Sequence, residues 1–219
     1  MVTFFFILVV PLGIVSIVLV ILQPIAVGAW CTLCLASAAL MLVMIPFTVD
    51  EVVAMGQFLA QSVREGKPLW RTFWVGDTME GGAADDRTPR YGAPAAQMIS
   101  PMVWGVTAPW TLVLSAGAGL WLMFAPALFG SQATAADSDH LVGALVVTVA
   151  VIVMAEVIRA GRFINVLFGA WIAVAPWVLN GATSTSRWNG VIVGAVLILL
   201  SIPRGRVRER YGSWDRCVV

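Results

Sequence analysis

Val2-Thr3-Phe4-Phe5-Phe6-Ile7-Leu8-Val9-Val10-Pro11-Leu12-Gly13-Ile14-Val15-Ser16-Ile17-Val18-Leu19-Val20-Ile21-Leu22 contains no charged side chain. About 20 such residues are what an α-helix needs to cross a hydrocarbon layer of about 30 Å. Comparable runs follow at residues 35–49, extended backward by 30–34, and at 108–129, 141–158, 163–179 and 191–202. The chain therefore reads as an all-α, polytopic membrane protein with six spanning helices. Its composition agrees: 60% of residues are hydrophobic, 11% are charged and the mean hydropathy is +0.91, well outside the balance of a soluble domain. The first run lacks both a basic leader and a small-residue cleavage site, so it reads as a retained helix and not as a signal peptide.

Lys and Arg orient the helices. The six spans divide their connections into two sets on opposite sides of the bilayer, and of the 13 basic residues all but Arg187 fall in one set, made of segment 50–107, turn 159–162 and the tail from 204. The positive-inside rule makes that side cytoplasmic and places both termini there. The localisation expected is a cytoplasmic (inner) membrane, with turns 23–29, 130–139 and 180–188 outside. Glu156 is expected near the cytoplasmic end of the fourth span, paired with Arg159 one turn away. His140, beside Asp137 and Asp139, reads as part of a solvated outer turn.

Composition separates four regions: residues 1–49, a helical hairpin; 50–100, polar; 101–203, four spans; and 204–219, a basic tail. In the second region Val52, Met55, Leu59 and Val63 recur at helical spacing ahead of Pro68-Leu69-Trp70-Arg71-Thr72-Phe73-Trp74, which predicts a helix lying on the cytoplasmic membrane surface. Residues 79–96, rich in Gly, Ala, Asp and Pro, read as a flexible linker.

The third region repeats itself. Gly119-Leu-Trp121-Leu-Met-Phe-Ala125-Pro126 recurs as Gly169-Ala-Trp171-Ile-Ala-Val-Ala175-Pro176, and Gly143-Ala144-Leu145-Val146-Val147 recurs as Gly194-Ala195-Val196-Leu197-Ile198, shifted by one further residue. Each unit is a helix, an outer turn and a returning helix. Both units have the same orientation, a parallel duplication unlike the inverted repeats of many transporters. Pro126 and Pro176 remove one backbone donor each and free the carbonyls of Leu122 and Ile172, which predicts a kink in the outer part of each span.

Trp30-Cys31-Thr32-Leu33-Cys34 opens the second span on the outer, disulfide-permissive side. Residues three apart share a helix face, so the two thiols can meet. Ligand counting leaves no metal: a structural zinc needs about four ligands, and the chain offers one further cysteine, Cys217 on the opposite side, and one His. Covalent haem needs His after the second Cys, where Leu35 stands, and an iron–sulfur centre needs more thiolates. A reactive dithiol and a pair of thiols packed as small hydrophobes remain. Cys31 lies where unpaired amides and the helix dipole stabilise a thiolate. Cys34, one turn deeper, lies where a lipid-soluble electron carrier can reach it.

Residues 4–59, with Val-Pro-Leu-Gly in the first helix, the Gln23-Pro24 turn and Gly-Ala-Trp-Cys-Thr-Leu-Cys-Leu opening the second, resemble the last two helices of bacterial vitamin K epoxide reductase family proteins. The resemblance implies catalytic cysteines Cys31 and Cys34, a quinone as cofactor beside Cys34, and an extracytoplasmic dithiol protein as substrate. It also implies two further helices and a relay cysteine pair that this chain does not contain, hence a longer gene product or a partner protein supplying them. The units at 114–202 resemble the SPW-repeat membrane family, with Ala in place of Ser in both copies and Ala127 where the first copy's Trp is expected. The function expected is thus a partial quinone-linked thiol–disulfide oxidoreductase joined to SPW repeats, embedded in the lipid bilayer and without a nucleic-acid partner. The alternative is a non-catalytic scaffold or assembly subunit whose cysteines are vestigial or structural. A plain transporter ranks third, given the parallel repeats and scarce intramembrane charge.

Overall fold

The structure, a computed structural model, describes residues 2–76, 94, 105–203 and 205–208. Each apolar run forms a helix. Helix α1 (Val2–Leu22) continues into a π-helical turn, Gln23–Val27, and stops at Gly28 with φ 68°, a left-handed conformation that lacks a Cβ penalty only in glycine. There follow α2 (Thr32–Arg64), α3 (Leu69–Val75), α4 (Trp110–Phe129), α5 (Ala133–Ile152), α6 (Ile164–Val178) and α7 (Ser184–Ser201). A 3-10 segment, Glu156–Phe163, leads into α6. Among the described residues six helical segments, one of them α6 together with its 3-10 lead-in from Glu156, are long and apolar enough to span a bilayer, as the hydrophobic runs predict.

The repeats become two helical hairpins, α4–α5 and α6–α7, each closed at a pair of glycines. A Cβ placed on Gly119 would lie 2.7 Å from the carbonyl oxygen of Gly143, and one on Gly143 would lie 2.7 Å from that of Gly119. In the second hairpin Gly169 and Gly194 face each other in the same way. Helices in lipid gain little from hydrophobic driving force between them, so small residues that let backbones approach are the usual means of tight packing.

The hairpins share one core in which repeat-equivalent residues are all buried: Leu122 and Ile172, Val142 and Val193, Val146 and Leu197. Ala118 and Phe168, equivalent again, pack against it. The duplication is thus a pseudo-twofold relation in space as well as in sequence. Polar contacts obey it: Trp121 Nε1 donates to Asn189 Oδ1 (2.9 Å) and Trp171 Nε1 donates to Ser138 Oγ (3.0 Å), each indole reaching from one hairpin to the other. The turns at this end are joined as well, Gln132 N–H to Gly181 O (3.0 Å) and Ala135 N–H to Asn180 O (3.1 Å).

The α1–α2 hairpin lies against α5. Near one end Val9, Leu42 and Ile45 meet Val147, Val151 and Ile152, and near the other Val20, Trp30, Leu35 and Ala38 meet Met123 and Ala144.

Several expectations need correction. Residues 52–63 are helical as expected but continuous with the second span; α2 is one helix of 33 residues that continues through Asp50 and Glu51 to Arg64. Acidic residues change the polarity of a helix without ending it, and no glycine or second proline follows Pro46 until Gly56. Only α3 folds back, after Gly66 (φ 79°), bringing the Trp74 ring within 5.5 Å of Phe4. Helix α5 starts at Ala133 and not at residue 141, so Asp137, Ser138, Asp139 and His140 are helical, and Asp139 is buried. It also ends at Ile152, leaving Glu156 in the 3-10 segment, fully buried, with Oε2 accepting the backbone N–H of Arg208 at 2.9 Å. The linker at 79–96 and Cys217 lie outside the described residues, apart from position 94.

Gly143→Val is expected to cost about 1–3 kcal/mol through overpacking against α4. Gly117→Ala, whose added Cβ meets nothing within 4 Å, is expected to leave stability unchanged or to raise it by up to about 1 kcal/mol. Reversible unfolding of both variants in mixed micelles measures the contrast.

Candidate functional site

Cys31 caps the N-terminus of α2 in an extended conformation (φ −102°, ψ 111°). Its backbone N–H donates to Oε1 of Gln23, which is buried, at 3.0 Å. Gln23 was unremarked in the sequence beyond marking the turn; it is a polar residue in an otherwise apolar run, and it fixes the chain just ahead of the cap. Cys34 N–H then donates to Cys31 Sγ at 3.4 Å, so a sulfur fills the role that a hydroxyl or carboxylate plays at most helix caps. The two expected site residues are therefore brought together, and both are free thiols on the exposed surface.

The thiol of Cys31 is held below its ordinary pKa, chiefly by a hydrogen bond from the Cys34 side chain and then by the Cys34 backbone N–H. Both donors favour the sulfur when it is charged. Of the two sulfurs, Cys31 is the one whose thiolate is favoured, and thiolate is the nucleophile in disulfide exchange.

The surroundings come from the repeat region. Trp30 packs on Phe124 (5.9 Å between ring centroids) and edge-on to His140 (5.8 Å). His140 is thus half-buried against the cysteine-bearing loop and not part of a solvated turn, and its Nδ1 is buried without a hydrogen-bond partner. No sequence pattern links Trp30 with His140, since the contact depends on how the hairpin docks.

A cavity of about 130 Å³ opens between α1, α2, α4 and α5, lined by Val20, Leu35, Ala38, Met123, Ala144 and Thr148 among others. Ala38 stands one helical turn beyond Cys34. The lining is almost wholly apolar, and its one hydroxyl, Thr148 Oγ1, is spent on Ala144 O at 2.8 Å. Quinone carbonyls need hydrogen-bond donors, and ligand pockets generally run to about 300 Å³ or more. The cavity suits a hydrocarbon chain; it is not a built site for a quinone ring.

In a Cys217→Ser background, the pH at which Cys31 reaches half its maximal alkylation rate is expected to lie below that of an ordinary cysteine. Cys34→Ala, which removes the side-chain donor, is expected to move that midpoint up, whereas Cys34→Ser, which keeps an O–H donor, leaves it low. Iodoacetamide labelling read by mass spectrometry gives both midpoints.

Residues 109–203 match the family model of the SPW repeat domain. No curated protein and no solved structure matches the chain. The matched segment covers the two hairpins and their pseudo-twofold core. The protein is an all-α chain with, among the described residues, six helices long and apolar enough to span a membrane, and its residues 109–203 are similar to the SPW repeat domain.

Proposed function

We propose that the protein carries out thiol–disulfide exchange at the outer membrane surface through Cys31 and Cys34. The observation that carries this reading is the hydrogen bond from Cys34 to Cys31 Sγ at the cap of a spanning helix, which holds an exposed thiol in a state ready to ionise. In the exchange, Cys31 thiolate attacks a disulfide of an extracytoplasmic protein, forms a mixed disulfide and expels one substrate thiolate. Cys34 then attacks Cys31 Sγ and releases the second substrate thiol. The substrate gains two electrons and two protons, and the chain holds a Cys31–Cys34 disulfide. Run backward, the same steps oxidise a substrate dithiol.

The resemblance to vitamin K epoxide reductases adds an electron carrier to this scheme. The apolar cavity beside α2 offers no free donor for quinone carbonyls, so in this scheme a quinone enters as a co-substrate diffusing in the bilayer, taking two electrons and two protons from the dithiol to become a hydroquinone. The exposed faces of α1 (Leu8, Leu12, Val15, Leu19) and α2 (Leu40, Val43) meet lipid or the partner helices that the resemblance implies. The inner membrane of a cell with an oxidising outer compartment is the location we propose, on the charge asymmetry of the connections.

The test is a trapping experiment in isolated membranes. Cys34→Ala is expected to accumulate a mixed disulfide through Cys31, seen as a band shift that reductant abolishes; Cys31→Ala/Cys34→Ala is expected to show none. In lipid nanodiscs a short-chain quinone is expected to oxidise the reduced pair faster than buffer alone. If no mixed disulfide forms, and the pair stays reduced with both quinone and oxidised glutathione, the non-catalytic scaffold is the correct reading.

A further inference from the structure

At the opposite end of the helices from Cys31, the chain entering α4 and the chain leaving α7 are fastened to the 3-10 segment. Gly105 O accepts Glu156 N–H at 2.8 Å and Thr107 N–H donates to Met154 O at 2.9 Å. Thr107 Oγ1 donates to Arg206 O at 3.2 Å, and Arg208 N–H donates to Glu156 Oε2 at 2.9 Å. Arg159, fully buried, donates from Nη2 to Thr107 O and Met154 O, both at 3.3 Å. Every fastening of residues 206 and 208 among these uses their backbone. Their guanidinium side chains are left on the exposed surface.

Between the two fastened segments lies a cavity of about 510 Å³, lined by Thr107, Pro109, Trp110, Arg206 and Arg208 among others. Its position narrows its ligand. Trp110 is the first residue of a spanning helix and is 67% exposed, so the cavity sits at the level where aromatic side chains meet lipid headgroups. Its charge narrows the ligand further: two arginines line it, Arg159 lies behind Thr107, and the neighbouring acid, Glu156, is engaged by the Arg208 amide. In the sequence Arg204, Arg206, Arg208 and Arg210 stand at every second position. Guanidinium groups form charge-assisted, bidentate hydrogen bonds with phosphate oxygens, and basic pockets at the cytoplasmic ends of spanning helices are suited to anionic headgroups.

We propose that this cavity binds the phosphate-bearing headgroup of one anionic phospholipid of the cytoplasmic leaflet, with Arg206 and Arg208 on the phosphate and Trp110 against the glycerol region. A free phosphate ion shares the chemistry but lacks the acyl chains that would lie along α4. The site is independent of the cysteine chemistry and stands whether or not that chemistry occurs.

The experiment is native mass spectrometry of the full chain released from detergent, titrated with phosphatidylglycerol or phosphatidylcholine. Wild type is expected to retain phosphatidylglycerol at least about tenfold more tightly, and Arg206→Ala/Arg208→Ala is expected to lose that preference, since each basic residue near the surface is worth about fivefold in affinity. Arg206→Lys/Arg208→Lys is expected to keep part of it, and Arg187→Ala, at the other end, all of it. The thermal midpoint without lipid checks folding of the variants. For wild type alone, about 1 M salt is expected to abolish the preference. Equal retention of the two lipids, a preference that survives in the double alanine variant or in high salt, or full displacement by millimolar inorganic phosphate overturns the proposal.

Discussion

The two hairpins depend on the approach of bare backbones at Gly119 against Gly143 and at Gly169 against Gly194. A side chain at any of these positions would have to displace a carbonyl oxygen or move a helix. The two hairpins therefore close at nearly the same spacing, and that equality lets six repeat-related apolar side chains form one core. It also sets the reach of the indoles, so that Trp121 and Trp171 each find a polar partner on the neighbouring hairpin. The surface that α5 presents to the cysteine hairpin follows from the same spacing.

Many of the side-chain hydrogen bonds between helices lie at the two ends of the fold. A backbone or charged group inside hydrocarbon must be satisfied by the protein itself. At the basic end, Arg159 and Arg162 turn inward and donate to carbonyls: Arg159 to Thr107 and Met154, Arg162 to Ser201 (3.1 Å) and to Arg159 (3.3 Å). Two of the basic residues at this end thereby tie three chain segments together. At the cysteine end the turns of the two repeats bond to one another, and Trp30 packs on Phe124 of α4 and His140 of α5.

The six spans were legible because a bilayer demands long uncharged runs, and the duplication was legible because Gly, Trp and Pro recur at fixed offsets. The pairing of Gly119 with Gly143 follows from that alignment once the hairpin is folded. Helix ends were less legible. Polarity marked residues 137–140 as a turn, yet Ser138 is helical because it serves the indole of Trp171, and a polar residue with a partner is no obstacle to a spanning helix. The change at Asp50 misled in the same way, since charge marks where lipid ends and not where hydrogen bonding along a helix ends. Cys31 and Cys34 were visible as a motif, whereas the acceptor role of Gln23 and the docking of Trp30 against His140 depend on three-dimensional placement that no spacing encodes.

The cap of α2 joins these observations to chemistry. A helix that needs an acceptor for its first amides finds one in a cysteine sulfur, and the Cys34 side chain first, then this capping bond, lower the proton affinity of that sulfur. The consequence for function depends on the side of the membrane the cap faces, because only an oxidising compartment sustains a working disulfide. The most direct measurement is labelling of intact cells with a membrane-impermeant maleimide, using chains that retain either Cys31 or Cys217 alone. Cys31 is expected to be labelled in intact cells and Cys217 only after permeabilisation. Labelling of Cys217 in intact cells with protection of Cys31 would contradict this, placing the dithiol in the reducing cytoplasm.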